Sequence, residues 1–173
     1  MNVEGNASGL NASIHESTST KNLRVIVRGS GNRLIIGEDC RIPAAHIFLA
    51  DGAQLQIGSN FTCTGRFITH QHEGSEVFIG DNCLFSQEVV FRPSDAHKII
   101  DIETGKRLNF PEPIRIDNNV WVGQNAMFLK GSAIGPGSIV AAGAVVTKAF
   151  RTPNALIAGV PAKIVRRKVR WEA

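Results

Sequence analysis

The sequence predicts an all-β fold, a parallel β-helix built from six-residue units, and three observations carry that prediction. Ile116, Val122, Phe128, Ile134, Val140 and Val146 recur every six residues. The fifth place of each unit holds a small or β-branched residue, Val120, Ala126, Ser132, Ser138 and Ala144, until Phe150. Gly, Asn, Asp and Lys crowd the places between. Six is not the period of an amphipathic helix, which returns apolar residues at three, four and seven. A fixed short repeat is the mark of a solenoid.

In such a fold each unit makes one short strand and one corner, and three units close a triangular coil. Successive coils stack as parallel strands ~4.8 Å apart, so each first-place aliphatic sits above its counterpart one coil earlier. Tight corners favour glycine, as at Gly123, Gly131, Gly135, Gly137 and Gly143. The narrow interior is expected to admit only a small group at place five.

Taken in order, residues 1–22 are rich in Ser, Asn and Thr without a period and read as a loose N-terminal arm or as a segment that packs on a neighbouring subunit. The β-helix is expected over residues 23–162. It opens with the alternation of Leu23, Val25 and Val27, then Leu34-Ile-Ile-Gly, Leu55-Gln-Ile-Gly and Val77-Phe-Ile-Gly. Ile36, Ile57 and Ile79 stand 21 and 22 residues apart, one coil plus a short corner insertion. Ile79 and Ile116 stand 37 apart, which predicts a long loop over about residues 92–113. Long insertions in compact domains are usually functional. Residues 163–173 form a basic tail carrying Lys163, Arg166, Arg167, Lys168 and Arg170, expected as a short helix.

The chain has 173 residues and a net charge of +4, with the tail supplying much of the excess. Few aromatic residues accompany that charge, which argues against nucleic acid and for an anionic small molecule. No apolar run reaches the length of a membrane span, and the first residues lack the layout of a signal peptide, so a cytoplasmic protein without membrane insertion is expected. Of the three cysteines, Cys40 and Cys83 occupy fifth places and read as core fillers in a reducing compartment.

Asn119-Val-Trp-Val-Gly, Ala142-Gly-Ala-Val-Val-Thr-Lys and Ala158-Gly-Val-Pro-Ala-Lys together resemble the hexapeptide-repeat acyltransferases, whose β-helix is left-handed. Ser94-Asp-Ala-His, Thr104-Gly and Leu108-Asn resemble the sugar O-acetyltransferases of the galactoside, maltose and polysaccharide-biosynthesis branch. The resemblance implies an acetyl-CoA-dependent O-acetyltransferase, with no metal, assembled as a homotrimer with active sites between subunits.

Acetyl transfer to a hydroxyl needs a base for the hydroxyl proton and stabilisation of the oxyanion that forms. His97, in the inserted loop where the family keeps its catalytic histidine, is the candidate base. Asp95 either orients it, holds a sugar hydroxyl or caps its own turn; Asp101 and Glu88 are open as the supporting carboxylate. The resemblance implies coenzyme A contacts at Gln124, Ala142, Thr147 and Lys148, with Lys163 and Arg166 toward the nucleotide phosphates. Trp121 and Asn109 are the candidates for the acceptor side, Trp121 serving equally well as an interface aromatic. His70 and His72 form a rival cluster, expected to face solvent or a subunit boundary. Two alternatives remain: N-acetylation of an amino sugar on the same scaffold, and a γ-carbonic-anhydrase-like metal enzyme using His70, His72 and His97.

Overall fold

A computed structural model describes residues 1–172. The chain winds into a three-walled prism of stacked parallel strands, and the alternation of inward aliphatic and outward polar residues decides which side of each strand is buried. Wall B holds Leu10–Ile14, Asn32–Ile36, Gln54–Ile57, Glu76–Ile79, Ile114–Ile116, Ala133–Ile134 and Ala149–Phe150. On it Leu34, Leu55, Val77 and Ile114 stack inward in register, while Arg33, Gln54 and Glu76 point out. The long strands Ser19–Arg28 and Arg41–Ala50 run through a corner and join the other two walls into one sheet. Wall A comprises Asn2–Gly5, the second halves of those two strands, Arg66–Gln71, Val89–Arg92, Met127–Leu129 and Val145–Val146. Wall C comprises their first halves, Thr62–Cys63, Leu84–Phe85, Trp121–Val122, Ile139–Val140 and Ala155–Gly159.

The corner between walls B and C repeats one backbone device. Asp39, Asn60, Asn82 and Asn119 all sit in the left-handed region, at φ 54°, 54°, 56° and 58°. Short polar side chains tolerate that region best after glycine, which explains why Asn and Asp hold this place. At the corner between walls C and A, a Cβ on Gly123 would lie 2.5 Å from the Ala142 backbone nitrogen, so only glycine lets adjacent coils stack there.

Three expectations are corrected. Residues 1–22 are not an arm: Asn2–Gly5 pairs with Arg24–Val27 and Leu10–Ile14 with Asn32–Ile36, so they form the first coil of the prism. Only Val3, Leu10 and Ile14 pack on the core from this coil, too few to show a period. The tail is not a helix: Ala162–Arg167 turns back and pairs antiparallel with Ala155–Gly159. That last wall C strand would otherwise present an open edge, and covering it satisfies backbone groups that a helix would leave unpaired. Place five is not restricted to small groups, because Phe61 and Phe67 are fully buried there. Each is matched by a smaller first-place neighbour in its own coil, Cys63 and Thr69, so cross-sectional volume is conserved.

Between Arg92 and Ile114 the chain leaves the corner joining walls A and B and returns with no loss of register, since Ile79 pairs directly with Ile116. Among the described residues no helix is long and apolar enough to cross a membrane.

Candidate active site

The excursion is folded upon itself. Ile100 and Arg107 form an antiparallel bridge, the Leu108 N–H donates to the Ile99 carbonyl at 2.9 Å, and Asp101 caps the tip. The Asp101 carboxylate accepts from the Thr104 N–H at 2.7 Å, from its hydroxyl at 2.8 Å and from the Glu103 N–H at 3.1 Å. These donors hold it below the ordinary carboxylate range, the Thr104 N–H first. Asp101 is therefore a turn residue. Glu88 is likewise engaged, pairing with Arg66 at 3.0 Å.

Arg107 ties the loop to the prism, and Asn109 ties the loop to itself. Arg107 grips Glu73 through two bonds, of 3.0 and 2.7 Å, and lowers the pKa of that carboxyl. Asn109, almost wholly buried, donates to Asp95 Oδ2 at 2.8 Å and to the His97 carbonyl at 2.7 Å, while its Oδ1 accepts the Ile99 N–H at 2.6 Å. Expected on the acceptor side, Asn109 instead spends its amide fastening the loop. Replacing it with alanine should cost about 1–3 kcal/mol, the usual cost of leaving buried hydrogen-bonding groups unpaired. The Ile99 amide should also exchange its hydrogen faster in that variant; unchanged exchange would refute the fastening role.

His97 stands exposed beyond this fastening. Its backbone N–H donates to the Asp95 carbonyl at 2.7 Å, and among the described residues its imidazole makes no hydrogen bond. The Asp95 carboxylate does not orient that ring. It accepts from Lys130 and Asn109, and these donors, Lys130 first, depress its pKa. Lys130 was not singled out from the sequence. Counting coils would have found it, because Leu129 pairs with Arg92 and the next residue must face the root of the loop.

The coenzyme-side candidates lie on three different edges. Gln124 and Ala142 are exposed at the corner between walls C and A, with the Gly143 N–H bonded to the Gln124 carbonyl at 2.8 Å. Thr147 and Lys148 are exposed at the corner between walls A and B, and the Lys148 ammonium lies 5.7 Å from the Phe150 ring centroid. Lys163 and Arg166 are exposed on the returning strand, paired with Ala158 and Leu156. Trp121 points outward from wall C, opposite the corner that carries His97, with its ring centroid 6.5 Å from that of Trp171. Trp171 donates its indole N–H to the Asn119 carbonyl at 2.8 Å. One chain therefore does not bring Trp121 and His97 to one place.

His70 and His72 belong to a separate feature on the outside of wall A. Both rings lie against Phe48, at centroid distances of 5.7 and 4.8 Å, and His46 meets His70 edge-on at 5.7 Å. They do not converge with His97 into a metal-ligating group among the described residues. Burial is the main cause that lowers all three histidines below the ordinary imidazole value. Arg24 and Arg66 add to it for His46, and Arg92 for His70, while Asp51 and Glu73 oppose it for His72. A base depressed in the folded state takes up protons less readily than in the unfolded chain. Its stabilisation is therefore complete above the unfolded value and is lost as pH falls through the folded one. Denaturant midpoints should fall between about pH 7 and about pH 5, and His70→Asn should flatten that slope. An unaltered slope would exclude the cluster as its source.

The repeat is independently recognisable: residues 113–148 match the family described as bacterial transferase hexapeptide (six repeats). A polysialic acid O-acetyltransferase of Neisseria meningitidis is 32% identical over 94% of this chain and 86% of its own length. The chain belongs to the hexapeptide-repeat sugar and polysaccharide O-acetyltransferases. A second relative in this acetyltransferase family, the polysialic acid O-acetyltransferase of Escherichia coli O1:K1 / APEC, is 38% identical over 55% of the chain but only 31% of its own length. The crystal structure of the polySia specific acetyltransferase NeuO superposes with a TM-score of 0.89 at 34% identity, covering 95% of this chain and 74% of that one. The acetyltransferase prism is thus the left-handed β-helix of the family, with a returning strand at its end.

Proposed function

We propose that the chain transfers an acetyl group from acetyl-CoA to a hydroxyl of a sugar or polysaccharide precursor, with His97 as general base. The observation that carries this reading is the unengaged imidazole of His97 on a loop otherwise fastened by Asn109, Arg107 and Lys130. The acceptor hydroxyl gives its proton to His97 as its oxygen attacks the thioester carbonyl. The tetrahedral intermediate then expels the thiolate, which takes the proton from the imidazolium. Gln124, Ala142, Thr147 and Lys148 would line the path of the pantetheine arm, and Lys163 and Arg166 would meet the phosphates.

A histidine open to solvent does not exclude water, and the same loop exposes Ile99, Ile100, Ile102, Leu108 and Phe110. Both facts support a homotrimer in which a neighbouring copy closes over the loop and presents its own Trp121 and cofactor residues. Three buried free cysteines accord with a reducing compartment, the cytoplasm. The test is a panel of sugars, sugar nucleotides and glycans incubated with acetyl-CoA, following thiol release and the product bond. An ester supports the reading, an amide would favour amino-sugar N-acetylation, and release with no acceptor would overturn both.

A further inference from the structure

The three walls differ in what they turn outward. Wall A presents Ile26, Phe48, Ile68, Val90 and Met127, all half-buried, and suits another copy of the chain. Wall C is covered at its end by the returning strand and by Trp171. Wall B is the polar one, and its outer face carries a cleft of about 150 Å³ across four adjacent coils.

The floor of that cleft is Ile35 and Phe78, both half-buried, and its rim is Arg33, Gln54, Gln56, Glu76 and Arg115, one carboxylate against two guanidinium groups. The rungs are in register, Arg33 to Gln54 to Glu76 in one column and Ile35 to Gln56 to Phe78 to Arg115 in the next. Among the described residues the side chains of Arg33, Gln54 and Gln56 make no hydrogen bond or ion pair to the protein. Arg115 has only a loose contact with Glu76, at 3.9 Å. An aromatic ring flanked by free planar amides and guanidinium groups is the chemistry that recognises a sugar: the ring takes a C–H face, the amides take hydroxyls, and the guanidinium groups take carboxylates.

Position adds a second argument. Arg115 follows the end of the inserted loop by two residues, and Glu76 lies three residues beyond Glu73, the anchor that Arg107 grips. At ~3.3 Å per residue, the cleft begins roughly 10 Å from the root of the loop that carries His97. Arg33 and Arg115 stand three strand spacings apart and two residues offset along the strands, roughly 16 Å, a span that a single monosaccharide does not bridge.

We infer that the outer face of wall B is a remote subsite for an extended acidic glycan acceptor, with Phe78 beneath a sugar ring and Arg33 and Arg115 on its carboxylates. This deepens the proposed function and rests on its glycan acceptor. The subsite holds the polymer and increases its residence near His97, so it acts on long acceptors and not on short ones.

The test compares Arg33→Ala and Phe78→Ala with the unaltered full chain, using acetyl-CoA and either dimers or long polymers of sialic acid. For the polymer, KM should rise about tenfold in each variant, the scale of one lost charge-assisted or stacking contact. The polymer kcat and the dimer KM should be unchanged, and Arg33→Ala should melt as the unaltered protein does. An unchanged polymer KM, or an equal loss with dimer and polymer, overturns the subsite while leaving the proposed activity standing. If neither acceptor is acetylated, calorimetric titration of the polymer decides the subsite separately. Binding weakened by Arg33→Ala supports it, and no binding to the unaltered protein overturns it.

Discussion

His97→Ala should lower acetyl transfer by about 10²–10⁴-fold, the usual worth of a positioned general base, while the melting temperature should stay where it is. The two halves of this expectation have separate structural sources. The imidazole makes no hydrogen bond among the described residues, so its removal takes nothing from the fold. The loop geometry is kept by Asn109 on the His97 carbonyl and by Arg107 on Glu73, neither of which is touched. The loss should lie in kcat with little change in the KM for acetyl-CoA, because the residues proposed to meet the cofactor are not among those that hold the loop. Transfer within a few-fold of the unaltered enzyme would remove His97 from the chemistry, and a lowered melting temperature would mean that the ring has a structural role.

The second large effect is on stability. Phe85→Ala should cost about 3–5 kcal/mol, as large aromatic truncations in a packed core do. Phe85 is fully buried, meets Phe61 edge-to-face at 4.9 Å and Phe91 at 5.8 Å, and Phe91 stacks in turn on Phe128 at 5.0 Å. The cavity has little means of closing, because each coil is held to the next by a ladder of backbone bonds that fixes wall separation. Denaturant midpoints at constant slope provide the measurement. A loss below about 1 kcal/mol, nearer an Ile-to-Val change, would show that the prism can collapse inward. The thiol of Cys83 is pushed up to about 12 by burial, so it remains a neutral filler, donating to the Asp117 carbonyl at 3.2 Å.

Much of the architecture was legible in the residues themselves. The run from Ile116 to Val146 shows its period because each short strand exposes one side to the core and each corner needs a small or left-handed residue. The separation of Ile79 and Ile116 located the loop for the same reason, since in-register stacking converts a spacing into an insertion length. Three features were not legible. The first coil carries only three apolar side chains against the core, so its pairing is dictated by the next coil and not by its own pattern. The tail was charged enough to pass for a helix, but an open strand edge beside it decides the outcome. The phenylalanines at place five depend on their exchange with Cys63 and Thr69, a volume balance that no single position reveals.

The site divides along the same line. His97 was singled out by its motif, whereas the contacts of its neighbours depend on which coil lies above and below. Asp95 and Asn109 look alike as loop polars, yet the first is tied to Lys130 from a later coil and the second faces three backbone and side-chain partners inside the loop. Wall B was hidden for the opposite reason. Its residues are scattered from Arg33 to Arg115 in the chain and become neighbours only through stacking.

The pairing of Ile79 with Ile116 across the excursion has an evolutionary corollary. The entropic penalty for tethering two fixed ends grows only logarithmically with the residues between them. A descendant can therefore lengthen, shorten or rewrite this appendage with hardly any thermodynamic consequence for the column beneath it. Loop content and scaffold durability should therefore vary as separable traits, and divergence within such a lineage should concentrate at this one crossing point.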